Sequence, residues 1–122
     1  MTTSDHVLAY LAAIERRAPF DEISAFMHPD IRVIEHPNKI TPAGKTYDLA
    51  ELRAANERGR ALLVAERYAV RAVLVDGDRA VVQSTWTGTL ADGRAMTAEI
   101  CSVFELAGGL IAKQEQYDCF LL

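Results

Sequence analysis

RAMTAEICSVFELAGGLIAKQEQYDCFLL, residues 94–122, is the stretch on which the rest of the chain turns. Two runs of alternating apolar and polar residues flank Gly108-Gly109. A two-residue hairpin turn needs positive φ at its central positions, and glycine, lacking a Cβ, takes that conformation without a clash. The pattern therefore predicts two antiparallel strands with Ala107 facing Leu110 and, in the same register, Glu99 facing Asp118. Residues opposed in this way have Cβ atoms about 5 Å apart. Two carboxylates that close in a partly apolar setting cannot both ionise freely, so one keeps a proton near neutrality. Such a pair is suited to acid/base chemistry.

Working backwards, Asp92-Gly93 and Asp76-Gly77-Asp78 are further hairpin signals. They divide the second half of the chain into strands over residues 66–75, 79–90, 95–106 and 110–120, an antiparallel meander. With Asp92-Gly93 as a two-residue turn, Trp86 falls opposite Glu99. With a three-residue loop at 76–78, Tyr68, Val70, Ala72 and Leu74 share a face with Val82, Ser84 and Trp86. The closing hairpin adds Glu99, Cys101 and Val103 from one strand, and Gln114, Gln116 and Asp118 from the other. Aromatic and aliphatic walls with a few polar groups are what a small-molecule pocket needs, so this is assigned as the concave, helix-covered face. The opposite face carries Arg67, Arg71, Gln83, Thr85, Thr87 and Thr89, then turns apolar with Ile100, Phe104, Leu106, Ile111 and Tyr117. An exposed apolar patch of that kind predicts a partner, most simply a homodimer packed through Ile100, Phe104, Ile111 and Tyr117. A slip of one residue at any turn would exchange the two faces.

Upstream, Thr3 or Ser4 can cap a first helix running to about Arg17, with Val7, Tyr10, Leu11 and Ile14 on its apolar side. Pro19 breaks it, and a short second helix carries Phe20, Ile23, Phe26 and Met27 before His28-Pro29. Residues 31–36 form a short strand ended by Pro37, and residues 37–47 form a long loop. Asp48 and Glu51 make a capping box for a third helix to about Leu63. The fold class is α+β: a curved antiparallel sheet, made of a short strand plus a four-stranded meander, with three N-terminal helices on its concave side.

At 122 residues, half of them hydrophobic, the chain suits one domain with a proper core. The net charge is −4 and no basic stripe is present, which argues against nucleic-acid binding. The N-terminal residues lack the pattern of a signal peptide and no apolar run is long enough to span a membrane, so a cytoplasmic protein without membrane partners is expected. In the register above Cys101 and Cys119 lie on opposite faces and cannot bridge. No Cys/His grouping has metal-ligand spacing, and no nucleotide or nucleophile motif is found, so neither metal nor cofactor is expected.

The helical hairpin, the short strand ending in "IEHP", the loop, the third helix and the meander closing in "CSVFELAGGLIAKQEQYDCF" together resemble the nuclear transport factor 2-like superfamily. The SnoaL-like polyketide cyclases and ketosteroid isomerases are the enzymes within it that the chain is most similar to. The resemblance implies a cone-shaped domain with a ligand cavity between sheet and helices, and in many members a homodimer. It places Tyr10 where the isomerases keep an oxyanion-binding tyrosine. It places His36, with Glu35 beside it, where they keep a carboxylate base followed by proline. Asp118 falls near the last-strand position of the catalytic acid in SnoaL-like cyclases. The isomerase base is an Asp, which is missing at that point here.

Two readings stand. One is a cofactor-independent acid/base enzyme of isomerase, cyclase or epoxide-hydrolase type, acting on a small apolar or carbonyl-containing molecule. His36 or the Glu99/Asp118 pair would move the proton, Tyr10 would donate a hydrogen bond, and Trp86, Tyr68, Val82, Ser84, Cys101, Val103 and Gln116 would line the pocket. The other is a dimeric ligand-binding or accessory domain with the same cavity and no chemistry.

Overall fold

The computed structural model describes residues 1–121. Helix α1 spans Thr3–Glu15 and is capped one position earlier than expected, by Thr2. Its hydroxyl accepts from the Asp5 N–H while the Asp5 carboxylate accepts from the Thr2 N–H. Pro19 opens the short helix α2, Phe20–Ser24. Strand β1, Met27–Glu35, starts earlier than the predicted Ile31 and contains Pro29. The proline, which has no N–H for the ladder, falls where the β1–β6 register breaks between Met27 and Arg32.

The chain leaves the sheet at Pro37 and returns as a short strand β2, Lys45–Tyr47, within what reads as loop in the sequence. Helix α3, Leu49–Leu62, carries the predicted Asp48/Glu51 capping box. The meander follows as β3 (Leu63–Asp76), β4 (Arg79–Leu90), β5 (Ala95–Ala107) and β6 (Leu110–Phe120). The fold is α+β, with the N-terminal helices against a curved, unclosed sheet of order β2-β1-β6-β5-β4-β3. Strand β1 joins parallel to β6, so the sheet is mixed where an all-antiparallel one was expected.

The turns form, but three single-residue shifts reassign the faces. At Gly108-Gly109, Ala107 faces Leu110 and Leu106 faces Ile111, as predicted. A bulge then skips Ala112, so Glu105 faces Lys113 and Glu99 faces Cys119, while Asp118 faces Ile100. The 91–93 turn holds one residue more than predicted, since Leu90 N–H and Arg94 C=O pair at 2.8 Å. Trp86 consequently faces Ala98, and Thr85 faces Glu99. The first hairpin turn is shorter, with Asp76 facing Arg79, and a bulge between Val70 and Ala72 restores the predicted Tyr68–Trp86 pair. Beyond that bulge Val73 packs on the core, whereas Leu74, expected inside, is 69% exposed.

The predicted outward apolar patch is therefore the core. Phe104 and Ile111 are fully buried and Ile100 nearly so; of the four residues assigned to it only Tyr117 lies at the surface. Phe104 and Ile111 pack in one core cluster with Val7, Leu11 and Ile23 of the helices and with Ile31 and Val82 of the sheet. Apolar surface on the outer face is instead a strip of Leu74, Val81 and Val103 across three strands. Cys101 also changes face, while Cys119 keeps the outer position expected of it. With Cys101 opposite Tyr117 and Cys119 opposite Glu99, both lie on the outer face, diagonal to one another, as free thiols. No helix among the described residues is long and apolar enough to cross a membrane.

Candidate functional site

Between the inner face of the sheet and the three helices lies a cavity of about 350 Å³. Its floor is β6, where the bulge at Ala112 has turned Gln114, Gln116 and Asp118 inward. Val33 and Glu35 of β1 and Tyr47 of β2 form one wall; Leu63, Glu66 and Tyr68 of β3 form the other. Tyr10, Phe20 and Ile23 come from the first two helices, and Leu52, Asn56 and Arg60 from α3.

Glu35 reaches the cavity by strand alternation. Ile31 and Val33 are buried, so Glu35 shares their side of β1 and His36 faces out. Its carboxylate accepts from the Tyr47 hydroxyl at 2.9 Å and from Asn38 Nδ2 at 2.8 Å. Asn38 is itself fixed, its Oδ1 accepting from the Ile40 and Thr41 N–H groups, each at 2.9 Å. Gly44 closes the loop at φ +67°, where a Cβ would stand 2.7 Å from the Glu35 carbonyl oxygen, so no other residue fits there without a shift. Burial, followed by the hydrogen bond to Glu35, pushes the Tyr47 hydroxyl up to about 12.

A polar chain crosses the floor. The Tyr10 hydroxyl donates to Gln114 Oε1 at 3.4 Å, Gln114 Nε2 to Gln116 Oε1 at 2.9 Å, and the Ser102 hydroxyl to the same oxygen at 2.7 Å. At its end stands Asp118. Burial first, and the negative charge of Glu35 second, raise its carboxyl to about 6, against a smaller lowering by the Gln116 side chain. Its Oδ1 is buried and meets no hydrogen-bond donor among the described residues. Across the cavity, Glu66 accepts from the Trp86 indole N–H at 3.1 Å and is likewise raised, chiefly by burial. Burial holds the Tyr10 and Tyr68 hydroxyls above their ordinary value, so both stay protonated donors.

Of the residues singled out in the sequence, Asp118, Tyr10, Tyr68 and Gln116 meet in this cavity. Glu99 does not. It lies on the outer face, where Thr85 donates to it at 3.0 Å and Arg71 pairs with it at 2.8 Å. His36 also faces out, with Nε2 at 3.1 Å from Glu115 and its ring stacked on Tyr117 at 4.3 Å. The hydrogen bonds that Lys113, His36 and Tyr117 make to Glu115 lower that carboxyl to about 2. Cys101 and Val103 sit on the outer face as well. Val82 and Ser84 are on the inner face but buried in the packing. Trp86 stands behind Glu66, edge-on to Phe120, and does not line the cavity.

Most cavity residues were given no site role by the sequence, among them Glu35, Tyr47, Glu66 and Gln114. The alternation Ile31-Val33-Glu35 carries the signal for the first, and that of Glu66-Tyr68 for the third. Tyr47 depends on a strand hidden in a loop. Among the described residues no three His, Cys, Asp or Glu side chains are grouped as metal ligands.

The sequence matches the SnoaL-like domain family over residues 7–114. No curated protein matches it. Among solved structures, an NTF2-like protein of unknown function from Burkholderia pseudomallei superposes with a TM-score of 0.80 at 24% identity, over 95% of this chain and 89% of that one. TerC, co-crystallised with polyporic acid, gives 0.79 at 24% identity over 95% and 90%. A protein from Jannaschia assigned to the SnoaL-like polyketide cyclases gives 0.77 at 19% identity over 95% and 84%.

Proposed function

Because the chain belongs to the SnoaL-like domain family, with the nuclear transport factor 2-like fold, we propose that it is a small acid/base enzyme that works with its own side chains. Its ligand is a compact, largely apolar molecule bearing a carbonyl or epoxide, within which it moves a proton, as an isomerase, cyclase or epoxide hydrolase does. The observation that carries this reading is Asp118: a half-buried carboxyl in the cavity lining, held at about 6, with one oxygen that no donor answers. A group of that value can give or take a proton near neutrality, where an ordinary aspartate is a poor acid. Negative charge on Glu35 favours the protonated form of Asp118. Tyr68 supplies a neutral O–H donor, and Tyr10 a second once it turns from its long 3.4 Å bond to Gln114, both suited to an oxygen that gains charge as the proton moves. A volume of about 350 Å³ lies at the small end of ligand pockets, which favours a compact substrate.

The test is a screen of small lactones, epoxides and enones with the wild type and Asp118→Asn. Turnover should fall ~100-fold or more in the variant, the usual contribution of a positioned acid/base group. Unchanged turnover would remove Asp118 from the chemistry. Ligand binding without turnover in either protein would leave the second reading, a binding domain.

A further inference from the structure

We propose that the cavity recognises a ligand carrying a basic nitrogen, a substituted ammonium group seated between the tyrosine rings and the carboxylates of Glu66 and Asp118. This rests on the cavity being the ligand site and names what the ligand carries. Three carboxylates line the cavity, from three strands: Glu35 on β1, Glu66 on β3 and Asp118 on β6. One cationic side chain lines it, Arg60 on α3, and its guanidinium is engaged at the rim by the carbonyls of Arg17 at 2.6 Å and Ala18 at 3.3 Å. Charges behind the walls nearly offset one another. Arg17 acts on Glu66 and Arg58 on Tyr47, while Glu15 acts on Tyr68 and Glu51 on Tyr47. The interior is left with an excess of negative charge, which repels a carboxylate or phosphate ligand.

The remaining walls suit a cation as well. Aromatic faces attract cations through the ring quadrupole, and two rings here already hold one from outside. The Arg53 guanidinium lies 4.8 Å from the centroid of Phe20, and the Lys45 ammonium 4.9 Å from that of Tyr47. Tyr10 and Tyr68 have no such partner among the described residues, and they stand in the part of the cavity nearest Glu66. Finally, the buried Oδ1 of Asp118 is an acceptor without a donor, which a wholly apolar ligand leaves unanswered and the N–H of a protonated amine that reaches it would answer.

The experiment titrates three probes of closely matched size: the benzyldimethylammonium ion, its neutral isostere isobutylbenzene, and anionic phenylacetate. Trp86, the chain's single tryptophan and a hydrogen-bond partner of Glu66, reports binding by its fluorescence. Above the Asp118 value of about 6 the ammonium should bind ~10-fold or more tighter than the isostere, and phenylacetate should not bind measurably. Below that value the preference should shrink. Asp118→Asn and Glu66→Gln should each weaken the ammonium several-fold and leave the isostere unchanged, which shows that the cavity is still folded. Glu99→Gln, on the outer face, should change nothing. Equal binding of ammonium and isostere, binding of phenylacetate, or no saturable response to the ammonium would overturn the proposal. Turnover that depends on Asp118 without ammonium preference would sink this inference alone. Ammonium preference with turnover unchanged in Asp118→Asn would sink the acid/base reading alone.

Discussion

Glu35 lies opposite Gln116 across the parallel β1–β6 pair, which brings its carboxylate onto the same inner face as Asp118, two residues further along β6. The pairing couples two carboxyl groups far apart in sequence. Glu35 is fixed by Tyr47 and Asn38, and its charge is one of the two causes that lift Asp118. The carboxyl pair expected between β5 and β6 is thus replaced by one between β1 and β6.

A raised carboxyl value has a consequence for stability. An acid whose folded value lies above its unfolded one binds its proton more readily in the folded chain. For Asp118 the charge is therefore a cost carried by the folded protein above about pH 6, and the cost is gone below the unfolded value near 3.8. Asp118→Asn should be the more stable protein at alkaline pH, by about 1 kcal/mol once the partial solvation of the carboxyl is allowed for. The difference should vanish as pH falls below 3.8. Thermal melts of the two proteins across this range measure it.

The inward position of Phe104 separates the observed register from the one in which it faces solvent. Phe104→Ala should cost about 3–5 kcal/mol, the usual loss for a fully buried Phe. Glu99→Gln, which removes only an outer-face pair with Arg71, should cost less than about 1 kcal/mol. Urea unfolding of both variants provides the comparison.

Gly88 packs against Trp86, and a Cβ there would lie 2.6 Å from the indole ring and 3.0 Å from Leu63. Gly88→Ala should displace the indole from Glu66 and destabilise the fold by about 1–3 kcal/mol. A change in the emission of the single tryptophan should accompany the lower melting temperature.

Much of this is legible in the sequence, and the remainder has a local cause. Helix caps, glycine turns and alternating strands are set by neighbours a few residues apart, so Asp48, Gly108-Gly109 and the meander can be read directly. Register is different, because strand alternation has period two and one extra residue reverses every side chain beyond it. Ala112 is such a residue. Its bulge turns Gln114, Gln116 and Asp118 inward while Ile100 and Phe104 also face in, an arrangement that no unbulged hairpin gives. Hydropathy held a partial warning, since assigning Ile100, Phe104 and Ile111 to the surface leaves the core without its largest side chains. At the site, the hairpin pairing and the resemblance both point to Asp118, the resemblance to Tyr10, and alternation to Tyr68. Glu35 lost out to His36, although Ile31 and Val33 point to the former.

Titrating the side-chain carboxyl carbon of Asp118 by NMR, in the wild type and in Glu35→Gln, reads whether burial and Glu35 together tune this group for acid/base work. The midpoint should lie at about 6 in the wild type and clearly lower in the variant, where one of its two causes is removed. A wild-type midpoint in the ordinary aspartate range near 3.8, or one unmoved by Glu35→Gln, would contradict that tuning.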